Sequence, residues 1–467
     1  MSRLLAAVAL LSLCGGAVGL LSARQGGPRQ VSLVVTGGTV VTVDGMHRVI
    51  PRGAVAVDGA DIVAVDTADV VGRQFKGTET IDAAGQIVMP GLVNTHTHAP
   101  MVLYRGLADD LPLMEWLNKY IFPAEAKTVS PEFVRAGTRL AALEMIESGT
   151  TTFADMYYFE EEIAKETRTA GLRAVLGQTI IQFPVADAKT PADGLARADA
   201  FIKAFKGDAL ITPAVAPHAM YTLDGPTLKA ARDLSRLHNV PTLIHLAETI
   251  DETKVAQERS STSPTMYLDS LGFWGPGVLA AHGIWVSKDD IAVLHQRGVG
   301  ISHNPESNMK LSSGTAPVTA YLRAGVSLGL GTDGAASNND LDMFEAMRVA
   351  SFLQKLQTFD PRAVGAATAL DLATMGGARA LGMERHIGSL ERGKRADLIV
   401  VDVSSARQTP LYDPLSVLVY TTRGSDVRTT IVNGKVLMKD RQVLTLDRSA
   451  VLAEARGWAE KVRAAVK

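Results

Sequence analysis

Short apolar runs and amphipathic stretches alternate through the middle of the chain. Eight apolar runs stand out, at residues 87–98, 150–156, 173–180, 210–218, 241–248, 278–282, 299–303 and 326–333. Most have the length of a buried strand. Stretches such as Pro131–Ser148 and Gly225–His238 lie between them, with apolar residues at helical spacing. Eight strand-then-helix units within about 300 residues predict an α/β fold of the (β/α)8 TIM-barrel type. The flanks differ. Residues 31–43 and 54–65 alternate in the manner of strands, and Thr80-Ile81-Asp82-Ala83 ends this piece. Strand-like residues return at 396–401 and 430–436, where Asn433-Gly434 marks a hairpin turn. The expectation is a small discontinuous β-sandwich built from both flanks. Residues 1–24 then form a leader, 25–86 the first part of the sandwich and 87–386 the barrel. Residues 387–445 form the second part of the sandwich and 446–467 a C-terminal helix.

Composition narrows the class. With 46% hydrophobic and 21% charged residues, the chain is an ordinary globular one with ample core. Lys and Arg number 47 against 49 Asp and Glu, and no long basic run occurs. That balance points to a small-molecule partner and away from nucleic acid or a membrane surface. The single cysteine, Cys14, lies in the leader. The remaining chain therefore has no disulfide and no Cys-x-x-Cys metal site. Arg3 followed by the apolar run 4–13 and small residues reads as an export signal, implying a periplasmic or extracellular protein. Cleavage would follow Ala17-Val18-Gly19 or Leu21-Ser22-Ala23, and an uncleaved N-terminal anchor is the alternative. Leu13 is too large to make Cys14 a good lipidation site. Without export the protein would be cytoplasmic. A homo-oligomer is compatible with all of this.

The chemistry lies at the ends of the runs. His96 and His98, His218, His245, His282 and His303 account for six of the ten histidines, and all fall at strand C-termini. In a barrel those ends share the face where active sites form. His96 and His98, two apart on a strand, point to the same side. With His245 and the carboxylate of Asp333 they make a site for one catalytic divalent metal ion. Zn2+ is the first expectation, and Fe2+ accepts the same donors. The remaining groups suit hydrolysis. Glu248, three residues after His245, is placed to donate a proton, His282 to stabilise developing charge, and Asp333 to accept the proton of water. His218 and His303 are expected substrate contacts.

The ordered set of motifs resembles the amidohydrolase superfamily, and within it the 5-methylthioadenosine / S-adenosylhomocysteine deaminases. Triazine hydrolases and guanine deaminases are cousins. The resemblance rests on Pro90-Gly91-Leu92-Val93-Asn94-Thr95-His96-Thr97-His98, Pro217-His218-Ala219-Met220-Tyr221 and His245-Leu246-Ala247-Glu248. It continues through Ser302-His303-Asn304-Pro305-Glu306-Ser307-Asn308-Met309-Lys310-Leu311, Gly331-Thr332-Asp333-Gly334-Ala335-Ala336-Ser337-Asn338-Asn339 and Gly393-Lys394-Arg395-Ala396-Asp397. It implies that His96, His98, His245 and Asp333 hold the metal, and that Glu125, His218, Glu248 and Asp333 contact substrate. Glu125 would bind ribose hydroxyls and Trp116 would pack on the purine. The implied reaction is deamination of an adenine nucleoside (5-methylthioadenosine, S-adenosylhomocysteine or adenosine) to the inosine analogue. An s-triazine amino- or chlorohydrolase and a non-catalytic binding protein are the alternatives. One departure stands out: relatives tend to carry an arginine near the end of strand three, suited to a substrate carboxylate, where this chain has Gln178. Arg168 and Arg173 lie nearby. The amino-acid tail of S-adenosylhomocysteine is then held weakly, which favours methylthioadenosine or adenosine.

Overall fold

The computed structural model describes residues 27–466. The expected leader therefore lies outside the described residues. Eight parallel strands form the central sheet: β1 Leu92–Thr97, β2 Thr150–Tyr157, β3 Arg173–Ile180, β4 Ile211–Pro217, β5 Thr242–Leu246, β6 Val278–His282, β7 Gly300–His303 and β8 Ser327–Leu330. They pair in chain order, with helices between, as a (β/α)8 barrel requires. The helices carry their own start and stop signals. The Ser130 side chain accepts Phe133 N–H to cap Pro131–Ser148, and Gly149 ends that helix at φ 88°. Asp224 caps Gly225–His238 through Thr227 N–H, with Pro226 in the first turn.

The seam between β8 and β1 is closed differently from the other strand pairs. One backbone bond, Asp333 N–H to the His96 carbonyl at 2.9 Å, crosses it. Side chains supply the rest: Asn94 Nδ2 donates to Thr332 Oγ1 at 2.7 Å, and Thr95 Oγ1 to the Leu330 carbonyl at 2.8 Å.

Two further sheets form the sandwich. One has strands Asp61–Thr67, Gly53–Asp58, Arg29–Thr36 and Phe75–Asp82 in that order. The other has seven strands and joins the two flanks where Gln86–Pro90 runs antiparallel to Leu398–Asp402. Leu33, Val35, Val55 and Ile81 of the first sheet pack against Val40, Val88, Leu398 and Ile431 of the second. The first apolar run is thus two strands rather than one: Gln86–Pro90 belongs to the sandwich and Leu92–Thr97 to the barrel. Gly91 makes the break, and a Cβ there would stand 2.1 Å from the Thr151 side chain. The base of β3 is tied to the sandwich by Arg173, which donates to Asp397 at 2.7 Å and to Asn433 at 3.2 Å. The C-terminal helix Arg448–Val466 lies on Pro131–Ser148, with Trp458 edge-on to Phe133. Among the described residues no helix is long and apolar enough to cross a membrane.

Candidate active site

The C-terminal ends of the strands converge on one buried cluster. His98 Nε2 lies 3.3 Å from His245 Nε2 and 3.4 Å from Asp333 Oδ1, and His96 Nε2 lies 3.5 Å from that same oxygen. Donors at ~2.0–2.1 Å from a tetrahedral ion stand ~3.4 Å apart, so these separations are those of ligands around a single cation. The protonation pattern agrees. His98 Nδ1 is hydrogen-bonded to the Met156 carbonyl at 2.7 Å and His245 Nδ1 to the His218 carbonyl at 2.8 Å. A carbonyl only accepts, so both Nδ1 atoms carry the proton and both Nε2 atoms present lone pairs. Two lone pairs facing each other need a cation or a proton between them. Burial works against the proton, lowering His98, pushing His96 down to about 4 and holding His245 well below its usual value. His96 Nε2 is buried and has no protein partner. Burial alone would raise Asp333, yet the imidazoles around it, His96 foremost at 3.5 Å, favour its ionised form and keep it well below the usual carboxylate range. The donor set fits a divalent ion of the zinc type.

Backbone strain accompanies the cluster. Asp333 at φ 64°, His282 at φ 72° and Ala247 at φ 48° occupy the left-handed region, which side chains other than glycine seldom adopt. The turn at Ala247 carries the chain from β5 to Glu248, which is buried. Burial raises the Glu248 carboxyl, with Asp333 adding to the effect and His282 opposing it. His282 Nε2 stands 3.8 Å from Glu248 and 3.9 Å from Asp333, while its Nδ1 is held by Asn308 Oδ1 at 2.9 Å. Burial would lower His282, but the Glu248 and Asp333 carboxylates outweigh it and its affinity for a proton is raised.

A pocket, partly open at its mouth, extends from the cluster. The insert after β1 covers it. Trp116, Leu117 and Ile121 line it from the short helix Leu113–Trp116 and the π-helical turn Leu117–Ile121 that follows. Glu125 lines it from the helix Phe122–Thr128 and accepts the Tyr157 hydroxyl at 2.7 Å. Burial pushes Glu125 up to about 7, against the lowering effect of that hydrogen bond. His218 also lines the pocket, and burial lowers its pKa to about 3, so it is a neutral imidazole. Among the described residues no lysine or arginine lines the pocket.

These features agree with comparison to known proteins. The sequence profile of the Amidohydrolase family matches residues 87–437. The chain belongs to the amidohydrolase family. It is 45% identical over 437 residues to a 5-methylthioadenosine/S-adenosylhomocysteine deaminase of Syntrophobacter fumaroxidans, covering 94% of this chain and 100% of that one. It is likewise 45% identical over 436 residues to a 5'-deoxyadenosine deaminase of Methanosarcina mazei, covering 93% and 99%. A zinc-bound adenosine deaminase structure from Xanthomonas campestris superposes with a TM-score of 0.92 at 40% identity, covering 94% of this chain and all of that one. Like its relatives, this amidohydrolase is a hydrolase of carbon–nitrogen bonds.

Of the residues singled out in the sequence, His96, His98, His245, Asp333, Glu248, His282, Glu125 and His218 come together at the pocket and its metal cradle. His303 does not. It is buried at the end of β7, neither ring nitrogen has a protein partner, and it is absent from the pocket wall. Gln178 is also off the wall, since its amide is bound to Asp187 at 2.9 Å. Arg168 pairs with Asp208 and Arg173 with Asp397, so neither arginine reaches the pocket. Sequence reasoning missed Tyr157, which reads as one more apolar residue of a strand, and Asn308. The Asn304–Asn308 spacing within the Ser302–Leu311 motif was the available signal for the latter.

Proposed function

We propose that this amidohydrolase removes the 6-amino group of adenine nucleosides, giving the inosine analogue and ammonia, and favours those with a small uncharged 5′ substituent. The observation that carries the reading is the polarity of one pocket. Its wall combines the cation cradle, Glu248 and His282 with the Glu125–Tyr157 pair and apolar side chains. The relatives named as deaminases of 5′-modified adenosines support the same substrate class.

His96, His98, His245 and Asp333 would hold one divalent ion, with zinc as our assignment. Such an ion acidifies water, so that hydroxide is available near neutral pH. Glu248 retains its proton more readily than an exposed glutamate and donates it to the purine N1 as C6 is attacked. Asp333 receives the proton of the nucleophile and passes it to the departing amine. His282, whose Nε2 faces both carboxylates, stabilises the oxygen as it adds to C6. The C6 hydroxyl gives its proton back to Glu248 as the C6–N bond breaks and a C6–O double bond forms, and ammonia leaves while the product keeps the hydrogen on N1. Glu125 receives the ribose hydroxyls beside His218, and Trp116 packs on the purine. A tail bearing a carboxylate finds no cationic partner on the wall.

The test is an absorbance assay of metal-loaded protein with methylthioadenosine, adenosine, S-adenosylhomocysteine, guanine and a triazine. Methylthioadenosine and adenosine should be deaminated, with KM for S-adenosylhomocysteine higher by about tenfold or more, the effect of one missing ion pair. Turnover of the triazine or guanine without turnover of any nucleoside would refute the reading. Elemental analysis should find one zinc per chain. We also propose that the leader directs export, so the mature protein should begin at Leu20 or Arg24 by N-terminal sequencing. A retained Met1 in exported protein would exclude cleavage.

A further inference from the structure

Behind the metal cradle lie two carboxyl groups that the proposed chemistry does not use. Asp155 is on β2, and Glu160 opens the helix Glu160–Ala170. Both are completely buried. Each gives one oxygen to a backbone N–H: Asp155 Oδ1 accepts from Ala99, and Glu160 Oε1 accepts from Tyr157 at 2.8 Å. The second oxygen of each, Asp155 Oδ2 and Glu160 Oε2, is buried without a protein donor. The two carboxyls are close enough for the charge of Asp155 to act on Glu160. Two ionised carboxylates could not satisfy each other's orphaned oxygens, because both only accept. Two isolated buried anions would also carry a large desolvation cost. A single proton between them satisfies both orphaned oxygens and leaves one net charge.

We propose that Asp155 and Glu160 are a proton-sharing carboxyl pair that positions the active site by gripping the chain beside His98 and beside Tyr157. The backbone they hold explains the choice of place. Ala99 is the residue after His98, and Met156, between Asp155 and Tyr157, supplies the carbonyl that orients the His98 ring. Tyr157 is the donor to Glu125. One pair thus fixes the metal end and the sugar end of the pocket relative to each other. Burial acts in the same direction, pushing Asp155 up to about 7 and Glu160 well above its usual range, with Asp155 charge adding to the latter. Neither residue touches the reacting atoms, so both are positioning residues.

The inference rests on His98 being a metal ligand, and the test reads the carboxyl pair and the metal without using substrate. Infrared difference spectra of the metal-loaded full chain at neutral pH should show a protonated-carboxyl band in the wild type. One component of that absorption should be missing from both Asp155→Asn and Glu160→Gln, whose amide N–H replaces the shared proton. Chelator competition should find both amide variants within about threefold of the wild-type metal affinity. Asp155→Ala should fall by roughly 10–100-fold, the usual effect of removing support behind a ligand. Loss of no protonated-carboxyl band in either amide variant would overturn the shared proton. Wild-type affinity in Asp155→Ala, or amide variants as weak as alanine, would overturn the positioning role. If the alanine variant does not fold, the infrared comparison and the amide affinities still decide. A protein inactive on every nucleoside would leave these readouts unchanged.

Discussion

Removing one hydroxyl tests the sugar end of the pocket. Among the described residues Tyr157 Oη is the one donor to Glu125, at 2.7 Å, and both residues are buried. Burial raises Glu125 to about 7, and the Tyr157 bond holds it from rising further. A hydrogen bond to a charged group is worth roughly 1.5–3 kcal/mol. At ~1.4 kcal/mol per pKa unit, its loss in Tyr157→Phe should move the Glu125 titration up by roughly one to two units. The ionised carboxylate is the better acceptor of ribose hydroxyls. In the wild type, KM for methylthioadenosine should therefore fall as pH rises through about 7. In Tyr157→Phe the same fall should come roughly one to two units higher, with kcat nearly unchanged well above both transitions. Glu125→Gln should abolish that transition in KM. Steady-state kinetics across neutral and mildly alkaline pH supply both curves. Superimposable KM profiles for wild type and Tyr157→Phe, or a transition that survives in Glu125→Gln, would refute the argument.

Three other outcomes are expected. Glu248→Gln should keep its metal and lose about 10²–10⁴-fold in kcat, since only proton transfer is removed; near-normal turnover would contradict its role as the acid. His96→Ala should bind metal far more weakly, and full occupancy by elemental analysis would show that the donor set is misassigned. Gly91→Ala forces a Cβ to within 2.1 Å of Thr151, so it should lower stability by about 1–3 kcal/mol in thermal denaturation, and an unchanged melting temperature would mean that the chain shifts freely there.

Much of this protein was legible because polar residues interrupt apolar runs at the same place in each unit. His96, His98, His245 and Asp333 stand out for that reason, and strand geometry then brings them together. The same pattern misplaced His303. A position at the end of a strand does not fix which face the side chain takes, and neighbours alternate. Tyr157 was invisible for the converse reason. Tyrosine is a common core residue, and only its hydroxyl's contact with an insert more than thirty positions earlier gives it a function. The division of residues 87–98 into two strands was hidden because apolar character continues through Pro90 and Gly91, while the sheets they join are decided by distant partners. The Asp155–Glu160 pair lay in a strand and at a helix start, where a lone acid reads as unremarkable.

The weakly laddered seam between the last and first barrel strands has a consequence for how the protein responds to metal. His96 and His98 lie on one side of that join and Asp333 on the other. An ion held by all three therefore works as a clasp, fastening the ring where hydrogen bonding is sparsest. Stripping it should let the barrel gape along this line before any other, so that chelation first shows as faster amide exchange in residues 92–98 and 327–333. Catalytic cofactor and structural fastener are then the same atom, and a cell short of metal would lose the fold's weakest joint together with its activity.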